Sequence, residues 1–473
     1  MERLSGLDSA FLSLETPSMH LHVASVSVVD TSTMRVPYDF EWLKDFVWRR
    51  LTQLPAAHRR IVPVPFHLNH PIWVEDPNFD VDYHIRRHVL PAPGGQAQLE
   101  ELVGSILGIP LDRTRPLWEI HVIEGLSDEG CIGLLGKIHH CAVDGVSGAE
   151  LFVHLFDLTP DAPDAGEDDA AEQAEMPEPE RIPSEVEMVT HAVLSQARRT
   201  IGLPALVGRT ARTVGQLVQR HRNPETVVGA VPLKAPRTLW NASITPHRRA
   251  AFASLPLADV KAVKNAAGVK VNDVVLGLVT IASRRYLQDH DALPDSPLVA
   301  MCPVSVRTED ERGRFDNRVS AMFVHLRTDI DDPIELLRAI AEATRGAKED
   351  HNALGAKFLQ NWAEHAAPAT FALATRLYTR LDLVDRLPPI YNLLVSNVPG
   401  PPVDLYLAGA RLVHAYPMGP ISEGAGLNIT VLSHGEFVDF GFEACAELVP
   451  DLSVLAGHVH DAMTDLQKAC QPV

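Results

Sequence analysis

His139-His140-Cys141-Ala142-Val143-Asp144-Gly145 follows an apolar run and precedes a helix start. Successive side chains along a strand point to opposite faces, so two adjacent histidines cannot share a role. Traced back through Ile132, Leu134, Gly136 and Ile138, His140 continues an apolar face, whereas His139 falls in line with Leu135 and Lys137. His140 is therefore expected to turn inward. Downstream, Ser147 and Glu150 have the spacing of a capping box, and Leu151, Phe152, Leu155 and Phe156 repeat at helical spacing. The stretch thus predicts a strand, a tight loop and a helix. An imidazole with an ordinary pKa of about 6.5 is mostly neutral near pH 7 and can take up a proton as general base. Asp144, four residues past His140, is placed to fix the loop through an ion pair.

With 22 histidines in 473 residues one His-His pair is unremarkable, but the pair with Asp-Gly at these offsets is expected in roughly one chain in a few hundred. The two rings face apart and Asp144 completes no familiar ligand spacing, so no metal site is expected. Five cysteines, Cys131, Cys141, Cys302, Cys445 and Cys470, show no Cys-x-x-Cys spacing, and neither a disulfide framework nor a zinc knuckle is indicated. A reducing, cytoplasmic setting is the simplest reading. The acidic residues Glu2, Asp8 and Glu15 do not resemble a secretory signal. A formal net charge of -19 argues against nucleic acid as a partner, since a binder needs cations to displace counterions from phosphates.

A chain of 473 residues exceeds what one core usually supports, and two domains are the natural expectation. Residues 1–160 alternate strand-like and helix-like segments, with strands expected over Val23 to Val29, Ile120 to Glu124 and Cys131 to His140. Residues 161–188 read as an acidic flexible linker: from Pro160 to Glu180 there is no Lys or Arg. Residues 189–230 then reverse the sign as a basic amphipathic connector, in which Pro204 is expected to separate two helices. That pattern fits either packing on the neighbouring domain or contact with an anionic lipid surface at the inner membrane face or a lipid droplet. Residues 231–473 form a second α/β domain, with helices over Val260 to Asn265, Asn272 to Leu287 and Pro333 to Lys348. Its expected strands are Leu298 to Val306, Val319 to Leu326, Leu393 to Ser396, Leu427 to Ser433 and Phe437 to Phe442. The longest uncharged stretch, Leu387 to Val403, holds five prolines and cannot be a regular spanning helix.

His139 to Gly145 fits the HHxxxDG signature of the acyl-CoA-dependent acyltransferases related to chloramphenicol acetyltransferase and to peptide-synthetase condensation domains. Within that group the chain resembles a bacterial wax ester synthase/diacylglycerol acyltransferase. The likeness also rests on Leu4-Ser5-Gly6-Leu7-Asp8-Ser9-Ala10-Phe11, Pro116-Leu117-Trp118-Glu119, Val271-Asn272-Asp273-Val274-Val275, Pro303-Val304-Ser305-Val306-Arg307 and Ser396-Asn397-Val398-Pro399-Gly400-Pro401, in that order. Taken alone, Asn272-Asp273 reads equally as a helix cap. The resemblance implies two chloramphenicol-acetyltransferase-like α/β domains with a channel between them and His140 midway along it. It implies further that Asp144 pairs with an arginine of the second domain, for which Arg307 is the candidate. Related enzymes often carry Gly-Asn after this arginine, where this chain reads Asp316-Asn317.

The chemistry so implied is direct transfer from a long-chain acyl-CoA to diacylglycerol, giving triacylglycerol, or to a fatty alcohol, giving a wax ester. No cofactor is required. His140 removes the acceptor's proton and returns it to the departing sulfur, with His139, Asp144 and Gly145 completing the catalytic motif. A backbone N–H near Gly145 and the Asn272 side chain are the candidate oxyanion donors. Pro116, Leu117 and Trp118 are candidate substrate contacts. Rival readings are acylation of the Cys141 thiol in a two-step route, an acyltransferase fed by a carrier-protein thioester, and a noncatalytic lipid-surface protein.

Overall fold

The computed structural model describes residues 2–142, 154–160, 184–223, 226–231, 233–305, 319–354, 362–364 and 383–471. Two six-stranded mixed sheets flanked by helices make up the protein. In the first, β2 (His22–Asp30) and β7 (Cys131–His139) pair antiparallel in unbroken register from His22 opposite His139 to Asp30 opposite Cys131. β6 (Trp118–Glu124) and β5 (Ile85–Val89) continue the sheet beyond β7. The second sheet runs β10 (Val319–Leu326), β9 (Leu298–Ser305), β11 (Leu393–Pro399), β14 (Leu427–His434), β15 (Phe437–Cys445), β8 (Arg248–Pro256). Helices α6 (Val271–Asp289) and α8 (Leu452–Ala469) close one face of that sheet, where Val275, Leu278, Leu455 and Val459 meet Ile429, Phe440 and Phe442 in one buried cluster. A small third sheet joins β1 (Glu2–Arg3), β4 (Ile72–Glu75) and β3 (Arg59–Val62).

The two sheets share chain in a way the sequence does not announce. β12 (Tyr406–Leu407) and β13 (Ala410–Met418) come from the second half of the chain, yet β13 pairs antiparallel with β2 in the first sheet. A C-terminal domain over 231–473 therefore gives this ribbon to its neighbour. On its way β13 passes so close to β15 that a Cβ on Gly441 would sit 1.9 Å from the Pro417 carbonyl oxygen, which leaves room for glycine alone. A second clasp comes from α3 (Gln96–Leu107), which lies along β8, the edge of the second sheet. Gln96 Nε2 donates to the Phe252 carbonyl at 2.8 Å and Glu100 Oε1 accepts its N–H at 3.0 Å, so the edge's polar groups are satisfied by side chains.

The basic connector is one helix, α4 (Glu185–Arg222), with Pro204 inside it. The expected division at Pro204 is corrected: the ring removes one backbone donor, but packing at both ends holds the axis together. Met188 and Ala192 bury against Val64, Ile72 and Val74, and near the far end Arg220 pairs with Glu349 and Asp350. The linker is also shorter than 161–188 at its C-terminal end, because Ser184 and Glu187 form a reciprocal capping box that starts the helix at 185. Residues 161–183 lie outside the described part. Among the described residues no single helix is long and apolar enough to cross a membrane.

Candidate active site

β7 carries out the alternation read from its sequence. Leu134, Gly136, Ile138 and His140 line a cavity of ≈ 1590 Å³ that draws its walls from both sheets. The second sheet contributes Met301, Pro303 and Leu394 to its lining, and β2 contributes Val23 and Ser25. The volume is well above the roughly 300–1,000 Å³ of an ordinary ligand pocket, and the lining is mainly aliphatic. It suits long hydrocarbon chains rather than a small polar substrate.

His140 is fixed by its backbone and by stacking. Its N–H donates to the Leu21 carbonyl at 2.8 Å, extending the β2–β7 ladder by one residue, and Phe11 of α1 (Gly6–Leu14) stacks on its ring. Burial, with a smaller contribution from His139, pushes the His140 imidazole down to about 4, so the ring is neutral near pH 7. A neutral ring on an apolar wall can accept a proton from a bound hydroxyl.

On the other face of β7, Lys137 and His139 are fully buried among polar partners. His139 Nδ1 accepts from the Cys141 N–H at 3.1 Å, and its Nε2 stands 3.7 Å from Glu15. Burial alone would raise the Glu15 carboxyl, but His139 and Arg113 outweigh it and hold it at about 2. Glu15 also receives the Leu21 N–H at 3.3 Å, so one carboxylate ties the end of α1 to the start of β2 and the end of β7. Two residues back, Lys137 Nζ is buried between the Ile109 carbonyl at 3.0 Å and Glu119 at 3.1 Å. His139 is thus a residue that holds the strand end, while His140 is the one that meets the cavity.

Several candidates fall elsewhere. Pro116, Leu117 and Trp118 line no part of the cavity; all three are buried. Trp118 stacks on His84 and its indole N–H donates to the Ala57 carbonyl at 2.8 Å, and the Leu117 carbonyl accepts the His139 N–H at 2.9 Å. The structure thus places these three in the core behind the active strand and not on the wall of this cavity. Cys141 packs with Leu4, Leu12, Ile61, Leu111 and Leu117, and burial raises its thiol well above the usual range. Cys141 is not among the residues that line the cavity. Asp144, Gly145, Arg307, Asn317 and the Ser147–Glu150 cap lie outside the described residues.

Asn272 is the second residue of α6, and the capping contact is made instead by Asp273, whose carboxylate accepts the Lys270 N–H at 2.9 Å. Asn272 Oδ1 accepts from Asn397 Nδ2 at 3.1 Å, and it is Asn397, on β11, that lines the cavity. Two stretches far apart in the chain thereby meet at one hydrogen bond. Phe11, Glu15 and Asn397 were not singled out from the sequence as site residues, although Phe11 and Asn397 sit inside segments that carry the resemblance.

Residues 4–275 match the family described as the wax ester synthase/diacylglycerol acyltransferase catalytic domain, and residues 315–467 match its C-terminal domain. A Mycobacterium tuberculosis protein named as a diacylglycerol O-acyltransferase is 38% identical over 470 residues, covering 98% of this chain and 90% of its own. A second protein so named from the same species is 34% identical over 462 residues, with 98% and 95% covered. The wax ester synthase/diacylglycerol acyltransferase from Marinobacter aquaeolei VT8 superposes with a TM-score of 0.66 at 28% identity, over 99% of each chain. The first condensation domain of the calcium-dependent antibiotic synthetase matches with a TM-score of 0.57 at 14% identity, over 100% of this chain and 97% of its own, a likeness of fold.

Proposed function

This chain belongs to the wax ester synthase/diacylglycerol acyltransferase family and is an acyltransferase, and from that premise we propose that His140 is its general base in direct transfer from a long-chain acyl-CoA. The acceptor hydroxyl, of diacylglycerol or of a fatty alcohol, gives its proton to His140 as its oxygen attacks the thioester carbon. The same proton then goes to the departing coenzyme A sulfur, and no covalent enzyme intermediate forms. The observation that carries this reading is the neutral, stacked imidazole of His140 on the wall of the large apolar cavity. His139 and Glu15 position the strand end behind it. Asp144, Gly145 and Arg307 are proposed to order the loop that follows, as the family signature implies.

The test uses purified protein and radiolabelled palmitoyl-CoA with diacylglycerol or hexadecanol offered separately. Wild type forms the labelled ester, His140→Ala loses at least a hundredfold in rate, and Cys141→Ala keeps most of it. Ester formation that survives His140→Ala overturns the assignment.

We also propose that α4 meets the lipid surface from which the acceptor is drawn. Val186, Val207 and Val218 are exposed on it together with Arg209, Arg212 and Arg222. Cosedimentation with vesicles containing an anionic phospholipid, weakened by Arg209→Glu with Arg212→Glu, checks it.

A further inference from the structure

The helix that brings Phe11 to the His140 ring is held at its two ends by different halves of the chain. At its C-terminal end Glu15 pairs with Arg113 and faces His139, and Arg113 Nη2 also donates to the Leu12 carbonyl at 2.8 Å. At its N-terminal end the Ser5 side chain takes the Asp8 N–H, which leaves the Gly6 N–H, in the first turn, without an acceptor on α1 itself. That N–H donates to Glu364 Oε1 at 2.8 Å, across 358 positions of sequence. A carboxylate also suits this place, because the start of a helix carries partial positive charge.

Gly6 shows how closely the segment around Glu364 is applied to α1. A Cβ at position 6 would stand 2.6 Å from the Ala363 carbonyl carbon and 2.6 Å from the Glu364 nitrogen, so backbone, and not the end of a flexible side chain, fills the space. Ala363 is itself buried. The φ of Gly6 is not in the left-handed region, and a helix otherwise prefers alanine to glycine. The glycine is accounted for by the contact with residues 363 and 364. On the other side of the same segment, Trp362 Nε1 donates to Thr210 Oγ1 at 3.0 Å. Thr210 lies on α4 between the exposed Arg209 and Arg212. Three consecutive residues thus join α4 to the helix whose Phe11 covers the imidazole.

We infer that Trp362, Ala363 and Glu364 are positioning residues for the acyl transfer: they seat the N-terminal end of α1, and Phe11 with it, against His140, and they take their own place from α4. None of the three lines the cavity, so their effect on the reaction passes through α1. The inference rests on the reading of His140 as general base and adds the residues that aim it.

The test measures palmitoyl transfer to hexadecanol in wild type, Glu364→Ala, Glu364→Gln and Gly6→Ala. Glu364→Ala lowers kcat roughly three- to tenfold, the worth of one hydrogen bond, with little change in KM for palmitoyl-CoA. Glu364→Gln keeps an Oε1 acceptor and restores most of the loss. Gly6→Ala lowers kcat about tenfold or more, since the clash displaces the helix. It also moves the acid limb of kcat/KM up from near 4 toward the ordinary 6.5, because a ring that Phe11 no longer covers is hydrated. Added to Phe11→Ala, Gly6→Ala costs little more, as both act through the same ring. Wild-type kcat in both Gly6→Ala and Glu364→Ala, or a loss that adds in full to that of Phe11→Ala, overturns the inference. If Gly6→Ala does not fold, the two variants of Glu364, an exposed residue, decide it. Amide hydrogen exchange over α1 needs no turnover and separates this inference from the role of His140. Exchange is faster in Glu364→Ala and in Trp362→Phe, which lacks the donor to Thr210, and unchanged exchange in both overturns the inference. Ester formation that survives His140→Ala overturns the general base instead, and leaves the seating of α1 to be decided by exchange.

Discussion

Phe11 lies against the imidazole of His140 with ring centroids 4.2 Å apart and planes 30° from parallel. The contact begins with a helix cap: the Ser5 side chain accepts the Asp8 N–H and fixes where α1 starts. From that start Phe11 and Leu14, three apart, reach the cavity, while Leu12 packs with Leu4 in the core around Cys141. An offset stack of this kind contributes about 0.5–1.5 kcal/mol. Phe11→Ala is expected to lower kcat roughly tenfold with a change in melting temperature of only a few degrees, and Phe11→Tyr to retain most activity. Steady-state kinetics beside thermal denaturation distinguish loss of orientation from loss of fold.

The burial of His140 sets the pH behaviour. Its folded value of about 4 lies below the ordinary 6.5, so the free base persists well into acid, and the acid limb of kcat/KM is expected near 4. The stability effect has a definite sign. Between about pH 6.5 and 4 the unfolded chain binds the proton and the folded one does not, so His140 subtracts stability as pH falls through that window. His20, His22 and His84, also lowered by burial, act in the same direction. Denaturant midpoints should therefore drop from pH 7 to 4, less steeply in His22→Phe, and rates should be taken within the short time before acid unfolding. An acid limb at 6.5 would refute a buried neutral base.

The facing of His140 was legible because a strand's period of two is local: Leu134, Gly136 and Ile138 are enough to assign it. The same periodicity located Val319–Leu326 and most of β2 and β6. β13 was not legible, since Pro417 interrupts its pattern and its partner β2 lies almost four hundred residues earlier. The contact of Asn272 with Asn397 spans 125 residues, so both look like local punctuation, a cap and a turn. Trp118 was ambiguous for the opposite reason, since a large aromatic near the active strand fits a substrate wall and a core equally, and its stacking on His84 is a contact that the local pattern does not show.

Glu15 and His139 are expected to act as a unit behind the active strand. Glu15→Gln removes the charge facing Arg113 and His139 and should cost about 1–3 kcal/mol of stability at neutral pH. Because the folded carboxyl titrates near 2, below its ordinary 4.5, that contribution is present above 4.5 and is lost as pH falls from 4.5 through 2. The two proteins should therefore converge in stability at acid pH. His139→Gln should lower kcat less than His140→Ala does, and the double variant should lose less than the two singles combined. Full additivity in a double-mutant cycle would show that the pair is uncoupled.

Gly136 offers a direct measure of which way the acyl chain runs. It lines the cavity between Leu134 and Ile138, and a Cβ built there meets nothing within 4 Å. Gly136→Leu should therefore fold, and the added side chain even suits a strand better than glycine does. Four residues of strand put it roughly 13 Å from His140, so a chain longer than about ten carbons would collide with the new side chain. Octanoyl-CoA is expected to be turned over at near wild-type rate and palmitoyl-CoA at least tenfold more slowly, with an unchanged melting temperature. Palmitoyl-CoA turned over as fast as by wild type would mean that the chain leaves His140 along another wall, such as the one that Tyr391 and Ile421 line.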